Sequence, residues 1–435
     1  MKNSIFVREA LPPEKEYVLD YVHTLYEPAG DMIFPLSQRS GVTCRPLVAV
    51  GDPVLAGQQL SECAENPALG AWSSCSGTVK AIERRPTRTG EAECIVVEND
   101  RKFRTAEGVG VRTDWMELGR AEILRRIREA GAAGSAAARY PTSARLDSLA
   151  PGTVSRVVID GSEWEPLISS DDDILRTFAH GVVTGLRILL RLFPGAEGAI
   201  LIGEDKQRAL DTVWDAAEDA AGIQVVAVSA GRPLGGEAMI DRLLAWNNNS
   251  YTSERACCLV ETPAGANAIC EAVCSGTPFF RRVVTVAGSA VARPGNYLVR
   301  VGTSCAELLA AAGGTRPGAE IKKAVMGGPI TGLSLSTLDV PVQKDTGALL
   351  LLAEDGEESA REAMTECISC GRCARACPAG LMPMLMLKAA EKCDQKEYAR
   401  LHGAECISCG VCTWTCPAKQ PLSQLFAYMG ALIKK

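Results

Sequence analysis

CISCGRCARACP at residues 367–378 and CISCGVCTWTCP at residues 406–417 repeat one pattern, Cys-x-x-Cys-x-x-Cys-x-x-x-Cys-Pro. Three cysteines spaced by two residues on a tight loop can clasp three irons of a cubane [4Fe-4S] cluster, and the fourth iron must be met from further away. Structural zinc favours paired Cys-x-x-Cys elements parted by a longer loop, so this close run of four cysteines ending in proline points away from zinc. Disulfides fit the spacing still less. Gly371 and Gly410 follow the second cysteine of each copy, where backbone must pass close to an inorganic body. Between the copies, LMPMLMLKAAEKCDQKEYARLH at residues 381–402 predicts helix, giving the order loop, helix, loop, helix. Cys393 reads as a packed thiol in the middle of that helix.

The repeat is similar to that of two-cluster ferredoxins, in which the fourth cysteine of each motif ligates the other cluster. On that pattern Cys367, Cys370, Cys373 and Cys416 hold one cluster, and Cys406, Cys409, Cys412 and Cys377 hold the second. The crossing fixes two clusters close together.

Working outward, a chain of 435 residues has room for three or four domains, each with its own core. Its composition is that of a soluble protein, 47% hydrophobic and 23% charged, with a net charge of -6. No basic stripe stands out, so nucleic acid is excluded as a main partner. Of 18 cysteines, those of the two motifs need to be thiolates, which implies a reducing, cytosol-like compartment. The first residues, MKNSIFVREALPPEKEY, lack a signal-peptide apolar core. No apolar run reaches the roughly 18 residues of a membrane span. The expectation is a soluble or peripheral protein that meets a membrane only through partner subunits.

Residues 33–100 read as short strands punctuated by turns. Within them, VGDPVLAGQ followed by SGTV resembles the small sandwich of biotinyl and lipoyl carrier domains. Ser74, Cys75 and Ser76 stand where a carrier would present its lysine, which predicts a structural or docking module. From residue 113 to about residue 241, helices alternate with strands. DWMELGRAEILRRIREAG is an amphipathic helix ending at Gly131, SRVVIDG a short strand, and DDDILRTFAHGVVTGLRILLRLF one long helix. Such alternation implies a parallel sheet, Rossmann-like in the broad sense. Residues 282–350 return to β grammar, with a hairpin turning at Arg293, Pro294, Gly295 and Asn296 and a helix from Cys305, which suits a β-grasp fold. AEDGEESARE reads as an acidic linker. The three histidines, His23, His180 and His402, show no nucleophile or metal spacing, and no catalytic side chain is assigned.

This order of parts resembles the RnfC subunit of the Rnf ion-translocating ferredoxin:NAD oxidoreductase, and more distantly the flavoprotein subunit of respiratory complex I. The resemblance rests on FPLSQRSG at 34–41, VGDPVLAGQ at 50–58, GSEWEPLISSDD at 161–172, RPLGGEAMI at 232–240, RPGNYLVRVGT at 293–303, MGGPITG at 326–332 and the twin cysteine motifs. It implies a multidomain α/β and α+β fold with four parts. These are a barrel-sandwich hybrid (lipoyl-like) β domain over 1–110, a Rossmann-like parallel α/β domain of FMN/NADH type over 111–275, an SLBB-like β-grasp domain over 276–352, and a two-cluster [4Fe-4S] ferredoxin domain over 353–435.

The resemblance further implies an electron path from NADH through flavin mononucleotide to the clusters. Its partners are other subunits of an Rnf-like complex on the cytoplasmic face of the cell membrane. Alternatively the partner is a dedicated reductase or ferredoxin, since soluble cobalamin reductases and the electron-transfer partner of proline reductase share the architecture. In the family the flavin sits over a loop like G-x-G-G-A-G-F-P-T. Here the matching stretch is GSAAARYPT at 134–142, where only Gly134 of the glycines survives and Arg139 offers a phosphate a charged fork. Ala136 and Ala137 replace glycine where backbone must approach phosphate, so FMN and NADH binding are in doubt. Glu163 and Glu165 stand where the family carries an E-C-E-P step, with Trp164 in place of the cysteine. They are placed to hold a ribose or flavin edge, or else to cap the helix that follows.

Overall fold

The computed structural model describes residues 4–5, 22–36, 42, 44–64, 69–132, 142–231, 233–235, 237–247 and 257–433. Two short strands come first, Ser4–Ile5 (β1) and Thr24–Leu25 (β2), and each joins a sheet built much later in the chain.

Met32–Pro35 (β3), Arg45–Pro46 (β4), Pro53–Val54 (β5), Ser61–Glu62 (β6), Gly77–Thr87 (β7) and Gly90–Asn99 (β8) form a four-stranded sheet in the order β3-β8-β7-β5 and the pair β4-β6. The expectation of short strands throughout fails at β7 and β8, which are 11 and 10 residues long. They stay paired to the tip because Gly90, at φ 117, takes the tight turn and the Thr87 hydroxyl donates to its carbonyl at 2.5 Å. Phe34, Leu60, Ile95 and Val97 fill the interior. Ser73, Ser74 and Ser76 are fully buried, and the Ser74 hydroxyl donates to the Val301 carbonyl at 2.6 Å. The turn where a carrier would expose its lysine is wedged against another part of the chain.

Arg120–Glu129 (α1), Thr142–Ser148 (α2), Val154–Gly161 (β9), Ser170–Thr177 (α3), Ala179–Leu192 (α4), Glu197–Gly203 (β10), Gln207–Ala217 (α5), Ile223–Val228 (β11), Glu237–Asn247 (α6), Cys257–Glu261 (β12) and Pro263–Ser275 (α7) make the alternating region. Its sheet is parallel throughout, in the order β1-β11-β10-β9-β12. Apolar strands buried on both faces, such as AILIG in β10, are what a parallel sheet covered by helices requires. The order reverses between β9 and β12, so their carboxyl ends flank the crevice where open α/β sheets take ligands. The single long helix expected across residues 171–193 is two, α3 and α4. Phe178, at φ -119 and ψ 28, breaks the helical path between them, and its ring stacks on His23 at 5.5 Å.

Arg281–Ala287 (β13), Gly295–Arg300 (β14), Cys305–Ala311 (α8), Lys323–Met326 (β15), Leu333–Leu335 (β16) and Ala348–Leu352 (β17) form a mixed sheet, β16-β15-β17-β13-β14-β2. The hairpin turns earlier than the sequence suggested, because Gly295 and Asn296 already pair with Val286 and Thr285. Asn296 is drawn into the strand by its amide, which accepts from the Thr285 hydroxyl at 2.8 Å and donates to the Ser169 carbonyl at 3.1 Å.

Gly356–Glu362 (α9), Arg372–Ala376 (α10), Pro383–Glu391 (α11), Gln395–Arg400 (α12), Val411–Trp414 (α13) and Leu422–Ile433 (α14) complete the chain. The acidic linker thus carries a short helix. The helix expected over residues 381–402 is broken into α11 and α12. Cys393 takes the left-handed conformation at φ 51 between them and is exposed, not packed. Asp394 restarts the helix by accepting from the Glu397 N–H at 3.0 Å.

Lys344 pins three parts together. Its buried Nζ donates to the carbonyls of Gly70 at 3.1 Å and Gly131 at 3.0 Å and stands 4.1 Å from the centre of the Trp72 ring. Burial pushes this ammonium down to about 7. Its folded pKa lies below its unfolded value, so between about pH 7 and pH 10 the unfolded chain binds more protons and stability rises with pH, by at most about 1.4 kcal/mol per unit. Denaturant midpoints are therefore expected to rise more steeply between about pH 7 and pH 9 in the native sequence than in Lys344→Met. Equal slopes would contradict this.

Candidate metal centres

Each cysteine motif folds as a tight curl running into a short helix. Gly371 and Gly410 are left-handed at φ 73 and 74 and stand at the N-terminal ends of α10 and α13. Ser369 and Ser408, between the first and second cysteines, are left-handed as well, at φ 54 and 57. Two such residues so close together bend each loop around a hollow. One hollow is lined by Cys367, Cys370, Cys373 and, from the other motif, Cys416, backed by Met384, Leu387 and Leu422. The other is lined by Cys406, Cys409, Cys412 and Cys377, backed by Leu381, Met386 and Phe426. The structure thus brings together three cysteines of one motif and the last cysteine of the other, twice.

The helices α11 and α14 supply the floor between the hollows. Met386, Leu387, Leu422, Phe426 and Met429 are all buried there. Tyr398 of α12 is fully buried beneath them, its ring 6.0 Å from that of Phe426 and its hydroxyl donating to the Phe426 carbonyl at 3.3 Å. Gly403 leaves room for it, since a β-carbon there would stand 2.1 Å from the tyrosine ring.

Among the described residues no three His, Cys, Asp or Glu side chains converge on a single-ion site. The thiols of each hollow surround a space instead. Four sulfurs around an apolar-walled space suit a cubane of iron and sulfide, with soft ligands and little water. Burial pushes the free thiols of Cys409 and Cys412 up to about 11 and about 12, so loading a cluster must displace protons from them.

The nucleotide side is different. Gly134 and Arg139 lie outside the described residues. Glu163, at a left-handed φ of 39, accepts from the backbone N–H of Asp171 at 2.7 Å and of Asp172 at 3.3 Å, which caps α3. Glu165 accepts from the N–H of Ile330 at 3.0 Å and of Thr331 at 3.2 Å, and the Thr331 hydroxyl donates to its other oxygen. Both carboxylates are engaged by the protein itself.

Sequence reasoning passed over Glu261, at the end of β12 beside the crevice. It is 4% exposed and accepts from the Thr142 hydroxyl at 2.9 Å and the Thr262 N–H at 3.0 Å, and burial raises its pKa. The only signal was a charged residue closing an apolar run just before Thr262-Pro263, the start of α7.

Over 369 residues the chain is 30% identical to the RnfC-type subunit of the proton-translocating ferredoxin:NAD(+) oxidoreductase complex of Clostridium ljungdahlii, covering 84% of this chain and 80% of that protein. The chain belongs to the RnfC family. It is 33% identical to the corresponding subunit of the ion-translocating oxidoreductase complex of Serratia proteamaculans, over 86% of this chain and 53% of that protein. It is 34% identical to the corresponding protein of Erwinia tasmaniensis, over 81% of this chain and 44% of the relative. It thus spans most of the clostridial RnfC and about half of these others.

Four family models match in RnfC order: the RnfC barrel sandwich hybrid domain at 11–102, the Nuo51 FMN-binding domain at 127–253, the SLBB domain at 283–334 and the 4Fe-4S dicluster domain at 366–420. Among solved structures, a chain of an NAD+-reducing [NiFe]-hydrogenase in the H2-reduced state aligns with a TM-score of 0.47 and 18% identity, over 76% of this chain and 68% of that one. Among the described residues of this RnfC-family chain, no helix is long and apolar enough to cross a membrane.

Proposed function

We propose that this RnfC-family chain is the electron-transfer RnfC subunit of an Rnf-like ion-translocating oxidoreductase complex. It would sit on the cytoplasmic face of the cell membrane, held there by partner subunits. The observation that carries the reading is the pair of crossed cysteine hollows. Cys367, Cys370, Cys373 and Cys416 would hold one [4Fe-4S] cluster, and Cys377, Cys406, Cys409 and Cys412 the other. When bound, such clusters take up and release electrons one at a time, at potentials tuned by hydrogen bonds and solvent exposure. The protein's part is to fix the two sites on a common floor and to limit water around them. Domain limits at 1–110, 111–275, 276–352 and 353–435 fit this division of labour.

The direct electron donor is read as a partner protein, because Glu163 and Glu165 are both occupied by backbone N–H groups and the glycine loop is thinned. The partner would be another complex subunit or, in a soluble setting, a dedicated reductase or ferredoxin.

Anaerobic purification followed by iron, sulfide and flavin quantification tests this. The expected result is about eight irons per chain, with a visible spectrum bleached by dithionite and not by NADH. Bleaching by NADH with one flavin per chain would overturn the choice of donor, and absence of iron after reconstitution would overturn the relay.

A further inference from the structure

The two glycines that follow the second cysteine are alike in conformation and unlike in surroundings. At Gly371 a β-carbon would find no atom within 4 Å, whereas at Gly410 it would stand 2.3 Å from Cγ2 of Ile330. Pro378, next to Cys377, comes within 3.6 Å of the β-carbon position of Gly235 in the parallel-sheet domain. Both contacts fall beside Cys377 and Cys409, members of one hollow. Cys367 and Cys370 of the other hollow are exposed, while Cys377, Cys406, Cys409 and Cys412 are half-buried.

Ile330 is presented by the β15–β16 loop, and Glu165 shapes that loop. A carboxylate accepting two backbone N–H groups and a hydroxyl makes charge-assisted bonds, the strong kind. Gly328 makes room for it, since a β-carbon there would stand 2.0 Å from Oε2 of Glu165. Gly327, at φ 104, and Gly332, whose β-carbon would meet the Gly328 carbonyl at 2.4 Å, keep the loop tight. Just beyond Glu165, Leu167 and Ile168 pack on Val325 and Leu350 of the β-grasp sheet, so the segment crosses from one domain to the next.

Resting on the cluster reading above, we propose that Glu165 is a positioning residue. It holds the β15–β16 loop as a seat for the Cys406–Cys412 loop. The cluster of Cys377, Cys406, Cys409 and Cys412 is then the inward station of the relay, facing the parallel-sheet domain. The cluster of Cys367, Cys370, Cys373 and Cys416 is the outward station, open to a protein partner.

The experiment uses the full chain, reconstituted with iron and sulfide, in three variants. Glu165→Ala removes the carboxylate, Gly328→Ala evicts it sterically, and Glu165→Gln keeps one acceptor oxygen. Iron per chain is measured first. About eight irons in the unaltered chain supports the cluster reading independently of the role of Glu165. Redox titration followed by electron paramagnetic resonance then reads each cluster. Letting water reach one cluster favours its more negative reduced state, so one of the two potentials should rise in Glu165→Ala and Gly328→Ala, and less in Glu165→Gln.

Hydrogen exchange locates the change, with at least about tenfold faster exchange at residues 407–411 and none at 368–372. Unmoved potentials with full iron would overturn the proposal, as would equal shifts in both clusters or exchange that rises equally in both loops. Too little iron in the unaltered chain would instead overturn the cluster reading.

Discussion

Cys409→Ser is expected to remove about four of roughly eight irons per chain, and Cys370→Ser to remove the other four. The pairing of sites is tested by combining them. Cys377 lines the hollow of Cys406, Cys409 and Cys412 although it sits in the motif of Cys370. The double variant Cys377→Ser, Cys409→Ser should therefore lose no more iron than either single change, because both act on one cluster. Cys377→Ser with Cys370→Ser should lose nearly all of it. Uncrossed ligation predicts the reverse for each pair, so iron content of the two double variants decides between them. Serine is close to cysteine in shape, so the packed floor around Met386 and Tyr398 should survive, and far-ultraviolet circular dichroism should change little.

Arg300→Ala should be the most destabilising single change at the junction of the N-terminal modules. The Arg300 side chain is 5% exposed and pairs through Nε with Glu27 at 2.5 Å. Nη1 donates to the Ser74 carbonyl at 2.6 Å, and the guanidinium lies 4.0 Å from the centre of the Phe103 ring. Three separate stretches of chain meet on one planar cation. Removing one partner of a buried pair costs about 3–5 kcal/mol, because the groups left behind are desolvated and unmatched. The stacked ring adds roughly 1 kcal/mol. A multidomain chain need not unfold in one step, so the readout is limited proteolysis within residues 69–110 against urea. Arg300→Lys should recover only a minor part, since an ammonium cannot match three partners in a plane. A shift in Arg300→Ala equivalent to less than about 1 kcal/mol would show that the junction does not depend on this residue.

The cysteine motifs and the alternation of helices and strands were readable because each depends on local spacing, three residues for the loops and the periods of helix and strand for the rest. What escaped the sequence was set by distant contacts. Phe178 ends a helix that its own neighbours would continue, and its partner is His23, far away in the chain. Asn296 reads as a turn residue and is held in a strand by Ser169 and Thr285. Cys393 looked like one more apolar position on a helix face, and the left-handed conformation it takes leaves no trace in composition. The carboxylates were the hardest. Whether Glu163 and Glu165 face a ligand or a backbone N–H depends on where α3 and the β15–β16 loop arrive, and no spacing rule contains that information.

The buried apex at Ser73, Ser74 and Ser76 sets how anything can move through this protein. Carrier sandwiches of this shape work as swinging arms, and their reach depends on a free tip. Here the tip is a foot, planted on Val301 and held by Arg300. A planted foot cannot ferry. Charge crossing this chain has to pass over gaps of fixed width, so its speed is decided when the chain folds and not by the diffusion of a tethered group.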